Sequence, residues 1–383
     1  MHWYENFRDK LDDRLYAELK TKGVQVAETP TPEPIPVLIR IAEESHVEKL
    51  AELHELLPHE QEGISIPGFR YLSARLDEKT LEKLARSPHV HMLHFDIKIK
   101  TRLNIATPTI GADYAKKNYG LTGKGVVIAV LDTGIYPHLD FTRPQNRIIH
   151  FKDFVNGKTA PYDDNGHGTH VAGCAAGNGW ASGGKYRAPA SEAFLVGVKV
   201  LDANGEVYSS SIIAGIDYCI QKKTELKIRI INLSLGGEAT VPYTNDPLAM
   251  AAAKAVKAGI AVFAAAGNSG SAAKTINTPG VHPRVTTVGA FDDRNTINLG
   301  DDREASYTSQ PPTYDTLVKP DVFTPGTNII APLSPNSTIS KEAPGSIINI
   351  NYISLSGTSM ATGICSGATA VILQCFPIQP QNC

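Results

Sequence analysis

The chain has 383 residues, of which 42% are hydrophobic and 20% are charged. This is the composition of a globular protein with one or more large cores, and it excludes a disordered or fibrous chain. Because 37 Lys and Arg residues stand against 39 Asp and Glu residues, the net charge is -2, and we expect neither nucleic acid nor an anionic membrane as a partner.

Targeting and redox signals are weak. The longest apolar runs, such as residues 260–266, are far shorter than the roughly 20 residues that span a bilayer. The N-terminal stretch is charged and lacks the apolar segment of a secretory signal, which favours the cytoplasm and leaves secretion after removal of a leader open. The five cysteines lack CxxC spacing, so we expect free thiols in a reducing compartment.

The first hundred residues predict a small α+β unit behind a separate helix. Residues 4–22 repeat apolar side chains every four positions, which predicts a helix, and a proline-rich linker follows up to residue 36. Residues 37–103 then alternate in the order βαββαβ, with a helix capped by Ser45 and a second helix beginning at Asp77. This order predicts a ferredoxin-like unit.

The remaining segment, 104–383, predicts an α/β domain. Four short, continuously apolar runs (126–131, 194–200, 228–235 and 260–266) alternate with helical stretches. Such runs predict a mostly parallel sheet with helices on both faces. Sites in these sheets lie at the carboxyl ends of the strands.

Three polar residues follow at such places. Asp132 ends the first apolar run, His167 lies between Gly166 and Gly168 before a small-residue helix, and Ser359 lies in a tight turn before an apolar helix. Taken singly, each has an ordinary structural explanation as a cap or loop residue. Together they have the chain order Asp, His, Ser of one class of serine hydrolases.

The motifs around these residues identify a family. The segments VLDTGIYPH, NGHGTHVAG, INLSLGG, AAAGNSG and SGTSMA resemble those of subtilisin-family serine proteases (subtilases), and their wording is most similar to the AprX-like branch of intracellular Bacillus-type subtilases. The resemblance implies a subtilisin-like fold and a serine endopeptidase that hydrolyses protein or peptide substrates. It implies Asp132, His167 and Ser359 as the catalytic triad.

The same resemblance assigns further roles. Asn268 is similar to the oxyanion-hole asparagine, and two segments are similar to the substrate-binding strand and to the wall of the S1 pocket: Ser234, Leu235 and Gly236, and Ala265, Ala266 and Gly267. The opposite edge departs from the family, since it reads Gly205-Glu206-Val207 where Gly-x-Gly is usual. This departure changes the side chains that a docked peptide is expected to meet at that edge.

No metal site is predicted in the active site. His167 and His170 are three residues apart, with Asp163 and Asp164 just before them, but a third nitrogen ligand is lacking. The resemblance implies that no cofactor is required. Asp140 is similar to a family calcium ligand, so calcium binding is left open, although the remainder of the usual calcium loop is missing.

The ferredoxin-like unit resembles the family's propeptide, which implies a self-processing zymogen whose own propeptide is an intramolecular inhibitor. We expect cleavage between residues 100 and 107, in an extended polar stretch; a fused accessory domain is the alternative.

Gly363 replaces a proline that is usual in the family, and it is expected to loosen the first turn of its helix. The short C-terminus predicts a truncated domain. Hence the alternative function is an inactive subtilase with a binding or inhibitory role; a phosphate-binding domain is disfavoured because no Walker motif occurs.

Overall fold

The computed structural model describes residues 2–24, 34–42, 65–66, 71–95 and 103–376, and it divides the chain into two units, Met1–Ile99 and Lys100–Cys383. The first unit has three α-helices, one 3-10 helix (Arg8–Lys10) and four strands among these residues: α1 (Trp3–Asn6), α2 (Asp13–Val24), β1 (Ile35–Ile41), β2 (Ser65–Ile66), β3 (Tyr71–Leu76), α3 (Glu78–Arg86) and β4 (Val90–Phe95).

The sheet of the first unit has the strand order β2-β3-β1-β4, with antiparallel neighbours throughout. This is the order expected for a ferredoxin-like unit. The α3 helix begins as predicted, because the Asp77 side chain accepts a hydrogen bond from the Thr80 N–H. The predicted helix after Ser45 and the end of the last strand lie outside the described residues.

The N-terminal segment differs from the single helix predicted over residues 4–22. It is broken before Asp12, whose carboxylate accepts from the Leu15 N–H at 2.7 Å and from the Phe95 N–H at 3.2 Å, and so caps α2 and ties it to β4. Leu11, Leu15 and Leu19 are buried in the same core as the sheet. The predicted boundary at residue 36 therefore lies inside one unit, because the apolar face of α2 is covered by that core.

The second unit contains the larger sheet. Its helices are α4 (Leu103–Thr109), α5 (Ala112–Tyr119), α6 (Leu139–Thr142), α7 (His167–Ala176), α8 (Ser209–Leu226), α9 (Pro247–Lys257), α10 (Thr338–Glu342) and α11 (Thr358–Gln374). Its strands are β5 (Val127–Asp132), β6 (Ile148–Asp153), β7 (Phe194–Lys199), β8 (Ile228–Leu233), β9 (Ala261–Ala265), β10 (Thr286–Asp292), β11 (Arg303–Glu304), β12 (Val322–Pro325), β13 (Ile329–Pro332), β14 (Ile347–Asn349) and β15 (Tyr352–Leu355).

The main sheet confirms the predicted α/β class. Its order is β11-β10-β9-β8-β5-β7-β6, with β12 also paired to β10, and every pair except β10–β11 is parallel. Alternate residues of β5 face different cores. Ile128 and Val130 pack with α7 and α11, whereas Ala129 and Leu131 pack with α8 and α9. Burial on both faces explains why the strands read as continuous apolar runs.

Helices α7 and α11 cross closely because glycine removes the side chain at the contact. A Cβ atom on Gly367 would lie 2.4 Å from the Ala175 carbonyl oxygen, and one on Gly363 would lie 2.8 Å from the Val171 carbonyl oxygen. Gly363 thus lies inside a continuous helix from Thr358 to Gln374, and the predicted loosening of that helix is wrong. Its glycine serves close packing instead.

Replacing Gly367 by alanine is expected to destabilise the second unit by about 1–3 kcal/mol, because α7 and α11 must separate to admit the methyl group. Chemical denaturation would measure this, and peptidase activity would fall as the two helices shift. Gly345→Ala is the matched control, since a Cβ atom there meets nothing within 4 Å. Equal stability of both variants would contradict the packing argument.

Residues 103–109 form helix α4 rather than the extended stretch that was predicted. Ala106 is fully buried in the core of the second unit, and the Thr107 hydroxyl donates to the Arg187 carbonyl oxygen at 2.7 Å. The predicted boundary between residues 103 and 104 therefore falls within a helix, and the two units separate between Ile99 and Lys100. No described helix is long and apolar enough to cross a membrane.

Candidate active site

Three strands end at one cleft. β5 lies between β7 and β8 in the sheet. After β5 the chain first builds β6 and β7 on one side of that strand, and it then builds β8 and β9 on the other side. Such a change of direction opens a crevice at the carboxyl ends of the strands. The residues that follow the three strands, Thr133, Leu201 and Ser234, all line a cleft of about 680 Å³, and His167 lies in the same cleft.

Asp132 and His167 form a direct pair in this place. Asp132 is fully buried at the end of β5, and its Oδ1 lies 2.7 Å from Nδ1 of His167, the first residue of α7. Gly168 permits this approach, since a Cβ atom there would lie 2.2 Å from the Gly134 carbonyl oxygen and 3.0 Å from the Asp132 Cβ. The absence of a side chain at Gly168 therefore lets the start of α7 approach the end of β5 closely enough for the imidazole to reach the carboxylate.

The electrostatics of this pair favour a protonated imidazole. Desolvation by itself lowers the pKa of His167, but the negative charge of Asp132 and its hydrogen bond to the ring raise that pKa above its ordinary value. Asp132 Oδ1 also accepts the Thr133 N–H at 2.8 Å, whereas its Oδ2 is buried and has no hydrogen-bond partner among the described residues. The carboxylate is thus placed to stabilise an imidazolium.

Asp163 holds the loop that carries His167. Its carboxylate accepts hydrogen bonds from the Gly166 N–H and the Thr169 N–H, both at 2.8 Å, and from the Thr133 hydroxyl at 2.9 Å. The Thr133 hydroxyl in turn accepts from the Gly168 N–H at 2.9 Å. Asp163 therefore joins the residue after Asp132 to the start of α7, a role that the sequence pattern did not reveal.

A buried lysine supports the same loop. Lys199, at the end of β7, donates to the Asp164 carboxylate at 2.7 Å and to the carbonyl oxygens of Thr133 and Leu201 at 2.6 Å and 2.9 Å. Its side chain is fully buried. Removal of the lysine would leave three buried or half-buried acceptors without their donor, which is costly. The only sequence signal was a lysine at the end of an otherwise apolar strand.

Ser359 is the second residue of α11 and is half-buried. Its hydroxyl donates to the Ser234 carbonyl oxygen at 3.1 Å, and the Ser234 hydroxyl donates to the Ser359 carbonyl oxygen at 2.8 Å. Ser234 lines the cleft that contains His167. The structure therefore brings all three predicted triad residues to one end of the sheet, with the serine hydroxyl turned toward Ser234 in this conformation.

Asn268 is oriented by the residue before Ser359. Its Oδ1 accepts both the Thr358 N–H at 2.9 Å and the Thr358 hydroxyl at 3.0 Å. Because the oxygen is occupied by two donors, the Nδ2 amide protons are the groups left to meet a ligand. Asn268 is exposed, so a substrate can reach it.

The predicted substrate-binding residues divide into two groups. Ser234, Leu235 and Gly236 line the cleft together with Gly205, Glu206 and Val207 from the opposite edge. Ala265, Ala266 and Gly267 do not line it; they are buried, and the Ala266 N–H donates to the Val288 carbonyl oxygen while the Ala266 carbonyl oxygen accepts the Asn277 N–H. Their assignment to the S1 pocket stays a prediction.

His170 and His167 do not point to a common metal site. Its Nε2 lies 3.0 Å from the Ile329 carbonyl oxygen and 3.2 Å from the Ile353 carbonyl oxygen, and burial lowers its pKa to about 3. His170 is thus a neutral core residue that holds α7 against β13 and β15. Within the described part of the chain, no group of three or more His, Cys, Asp or Glu residues could hold a metal ion.

Asp140 does not fit the calcium role that the resemblance suggested. Both of its carboxylate oxygens accept the Tyr352 hydroxyl at 2.9 Å, and they also accept the N–H groups of Gly179 at 3.2 Å and Ala181 at 3.0 Å. Calcium needs six or more free oxygen ligands. Here the donors of the protein occupy the carboxylate instead.

Replacing Tyr352 by phenylalanine is therefore expected to lower stability by about 1–3 kcal/mol, because the fully buried Asp140 loses a donor to both of its oxygens. Urea unfolding would measure the loss. Tyr314→Phe is the control, since that ring is 53% exposed. If the stability of the Tyr352→Phe variant matched the wild type, the hydrogen bonds to Asp140 would contribute nothing net.

Comparison with known proteins shows which family this chain resembles. The model of the Subtilase family (Peptidase S8) matches residues 123–382. Serine protease AprX of Bacillus subtilis is 47% identical over 301 residues, which are 77% of this chain and 67% of that protein. Subtilisin E of Bacillus subtilis is 34% identical over 318 residues, which are 81% of this chain and 72% of that protein.

Solved structures show the same likeness. A cold-adapted subtilisin-like serine proteinase superposes with a TM-score of 0.52 at 30% identity and covers 67% of this chain and 78% of its own. Sphericase superposes with a TM-score of 0.55 at 31% identity and covers 70% of this chain and 84% of its own. These comparisons confirm the predicted subtilisin-like α/β fold.

Proposed function

Because the chain belongs to the subtilase family and is a serine-type endopeptidase, we propose that Asp132, His167 and Ser359 are its catalytic triad. The observation that carries the proposal is the 2.7 Å distance between Asp132 Oδ1 and His167 Nδ1, with His167 in the lining of a cleft. Ser359 is hydrogen-bonded to Ser234, which lines the same cleft. Proteins or peptides are the substrates.

The proton follows a defined route in this mechanism. His167 Nε2 accepts the Ser359 proton as Oγ attacks the peptide carbonyl carbon, and the same proton then passes to the leaving amine nitrogen. The acyl-enzyme is hydrolysed by a water that His167 deprotonates, and His167 returns this proton to Ser359 Oγ as the acid product leaves. Asp132 keeps the Nδ1 proton in place and stabilises the imidazolium formed in both steps, so its burial strengthens a charge interaction that appears only during the reaction.

The oxyanion is stabilised by donors from two elements. We assign Nδ2 of Asn268 and the Ser359 N–H at the start of α11 to this role, because Thr358 holds Asn268 by its oxygen and leaves Nδ2 free to donate. One such donor contributes about 10²- to 10³-fold to kcat. The substrate backbone then adds as a strand along Ser234–Gly236.

Replacing Asp132 by asparagine tests the electrostatic role of the carboxylate. His167 must be neutral to accept the serine proton, so activity rises with pH through the pKa of His167, which Asp132 raises. Without that charge the acidic limb of the kcat/KM profile is expected to move to lower pH, while the maximum falls by about 10⁴-fold. A pH–rate profile would measure both the position of the acidic limb and the height of the maximum. If the acidic limb did not move, a group outside the Asp132–His167 pair would control it.

A fluorophosphonate probe tests the triad directly, because it labels only an activated serine. We expect stoichiometric labelling of the wild type at Ser359, identified by peptide mapping, and none in the His167→Ala variant. Absence of labelling in a folded wild-type chain would contradict the proposal. It would favour the inactive subtilase with a binding role.

The first unit is proposed as a propeptide that inhibits the peptidase until it is cleaved. Helix α4 argues that the cut lies before Leu103, because a protease needs an extended segment and Ala106 is buried. N-terminal sequencing of the mature species, together with a test of whether residues 1–99 copurify with it, would decide. An uncut, fully active chain would favour a fused accessory domain.

A further inference from the structure

The charged residues that line the described cleft have one sign. Glu206 and Glu342 line it, no Lys or Arg does so, and His167 is its only other titratable group. Both glutamates are exposed. The remaining lining is neutral, and it includes apolar surface from Leu201, Val207, Ile212, Leu235 and Ile339.

Glu206 lies in a turn whose backbone is held by Asp202. The Asp202 side chain accepts the Glu206 N–H at 3.0 Å and the Asn204 N–H at 2.8 Å, and the Glu206 carbonyl oxygen accepts the Asp202 N–H at 3.1 Å. This turn directly follows β7. The backbone that carries the Glu206 carboxylate is thereby fixed at one edge of the cleft.

The helix that carries Glu342 is hydrogen-bonded to the loop that precedes His167. Glu342 ends α10, whose first residues bond to that loop: the Thr338 N–H donates to the Asp164 carbonyl oxygen at 2.9 Å, and the Ile339 N–H donates to the Asn165 carbonyl oxygen at 3.0 Å. The Thr338 hydroxyl donates to the Ala203 carbonyl oxygen at 2.8 Å. Helix α10 thus joins both edges of the cleft, and the backbone that carries Glu342 is held in the lining of the same cleft as His167.

We propose that Glu206 and Glu342 make the enzyme prefer peptides with Lys or Arg at alternate positions before the scissile bond, the second and the fourth. The inference rests on the proposed function. A substrate that adds as a strand along Ser234–Gly236 directs every second side chain to the same side. Long cationic side chains can lay their methylene groups on the apolar lining and reach a carboxylate with the charged end.

The chain's own sequence carries this pattern beside the proposed maturation site. Lys98, Lys100 and Arg102 alternate with uncharged residues just before helix α4. A cut between Thr101 and Arg102 places Lys100 and Lys98 second and fourth before the scissile bond. The preference therefore names one bond for the first cleavage, which N-terminal sequencing can identify.

The test compares three peptide anilides that share leucine before the scissile bond and differ at the second and fourth positions, which carry lysine, norleucine or glutamate. We expect the wild type to prefer lysine over norleucine by about three- to tenfold in kcat/KM and to disfavour glutamate, as for partly exposed charge pairs. Added salt should reduce both differences.

Glu206→Gln and Glu342→Gln should each reduce the ratio of kcat/KM for the lysine peptide to that for the norleucine peptide, and the double variant should bring this ratio to about one. Glu225→Gln is the matched control, since its carboxylate is exposed and pairs with Lys222 on α8. No preference in the wild type, or full preference in the double variant, would overturn the proposal.

Binding separates this proposal from that of the triad. Fluorescent versions of the lysine and glutamate peptides can be titrated into the Ser359→Ala chain, after a trace of wild-type enzyme has cleaved its first unit and that unit has been removed, and into the same chain with both glutamates replaced by glutamine. Tighter binding of the lysine peptide that disappears in the triple variant supports the charge preference whether or not Ser359 is the nucleophile. Equal binding of both peptides to Ser359→Ala contradicts it.

Discussion

Replacing Ser359 by alanine is expected to abolish peptidase activity and to leave the full-length chain uncut. The hydroxyl is the proposed nucleophile, and its loss removes the acyl-enzyme route, which in a subtilisin costs about 10⁶-fold in kcat. Activity on a peptide anilide and the molecular mass of the purified chain would measure both effects. The fold should persist, because the Ser234 carbonyl oxygen loses only one hydrogen bond at 3.1 Å.

Ser346→Ala is the matched control for this variant, because Ser346 does not line the cleft and makes no side-chain hydrogen bond among the described contacts. It should process and hydrolyse as the wild type does. Cleavage of the Ser359→Ala chain at the wild-type rate in a purified preparation would show that another protease performs the maturation. The zymogen proposal would then be lost, and the triad would have to be judged on activity alone.

His167→Ala is expected to cost about as much as the loss of Ser359, since members of a triad act as a unit and the serine is a poor nucleophile without its base. Single-turnover hydrolysis of a peptide anilide would measure the loss. The double variant with Ser359→Ala should lose little more than either single variant, and this non-additivity is the sharper readout.

His91→Ala is the control, since His91 is exposed on β4 and belongs to the first unit. A His167→Ala chain that kept most of its activity would assign the proton transfer to another residue. A double variant whose loss equalled the product of the two single losses would show that the residues act independently. Either result would remove the catalytic assignment of the pair that Asp132 and His167 form.

Local patterns in the sequence determined the class of the fold and the position of the candidate site. Continuous apolar runs required strands buried on both faces, and this predicted β5, β7, β8 and β9 within one or two residues at each end. Asp132 at a strand end and His167 between two glycines followed from local backbone chemistry. The glycine at 168 admits the close approach of α7 to the end of β5 that places the ring against the carboxylate.

The tertiary structure alone decided how these residues are supported, because the contacts join positions far apart in the chain. Lys199 meets Asp164, and Tyr352 meets Asp140, with no local signal for either pair. Helix α10 lies on the loop that precedes His167 because the N–H groups of residues 338 and 339 donate to the carbonyl oxygens of residues 164 and 165. The N-terminal helix likewise joined the first core because its apolar face needed cover. Periodicity predicts that a face must be buried, but only the fold determines which partner buries it.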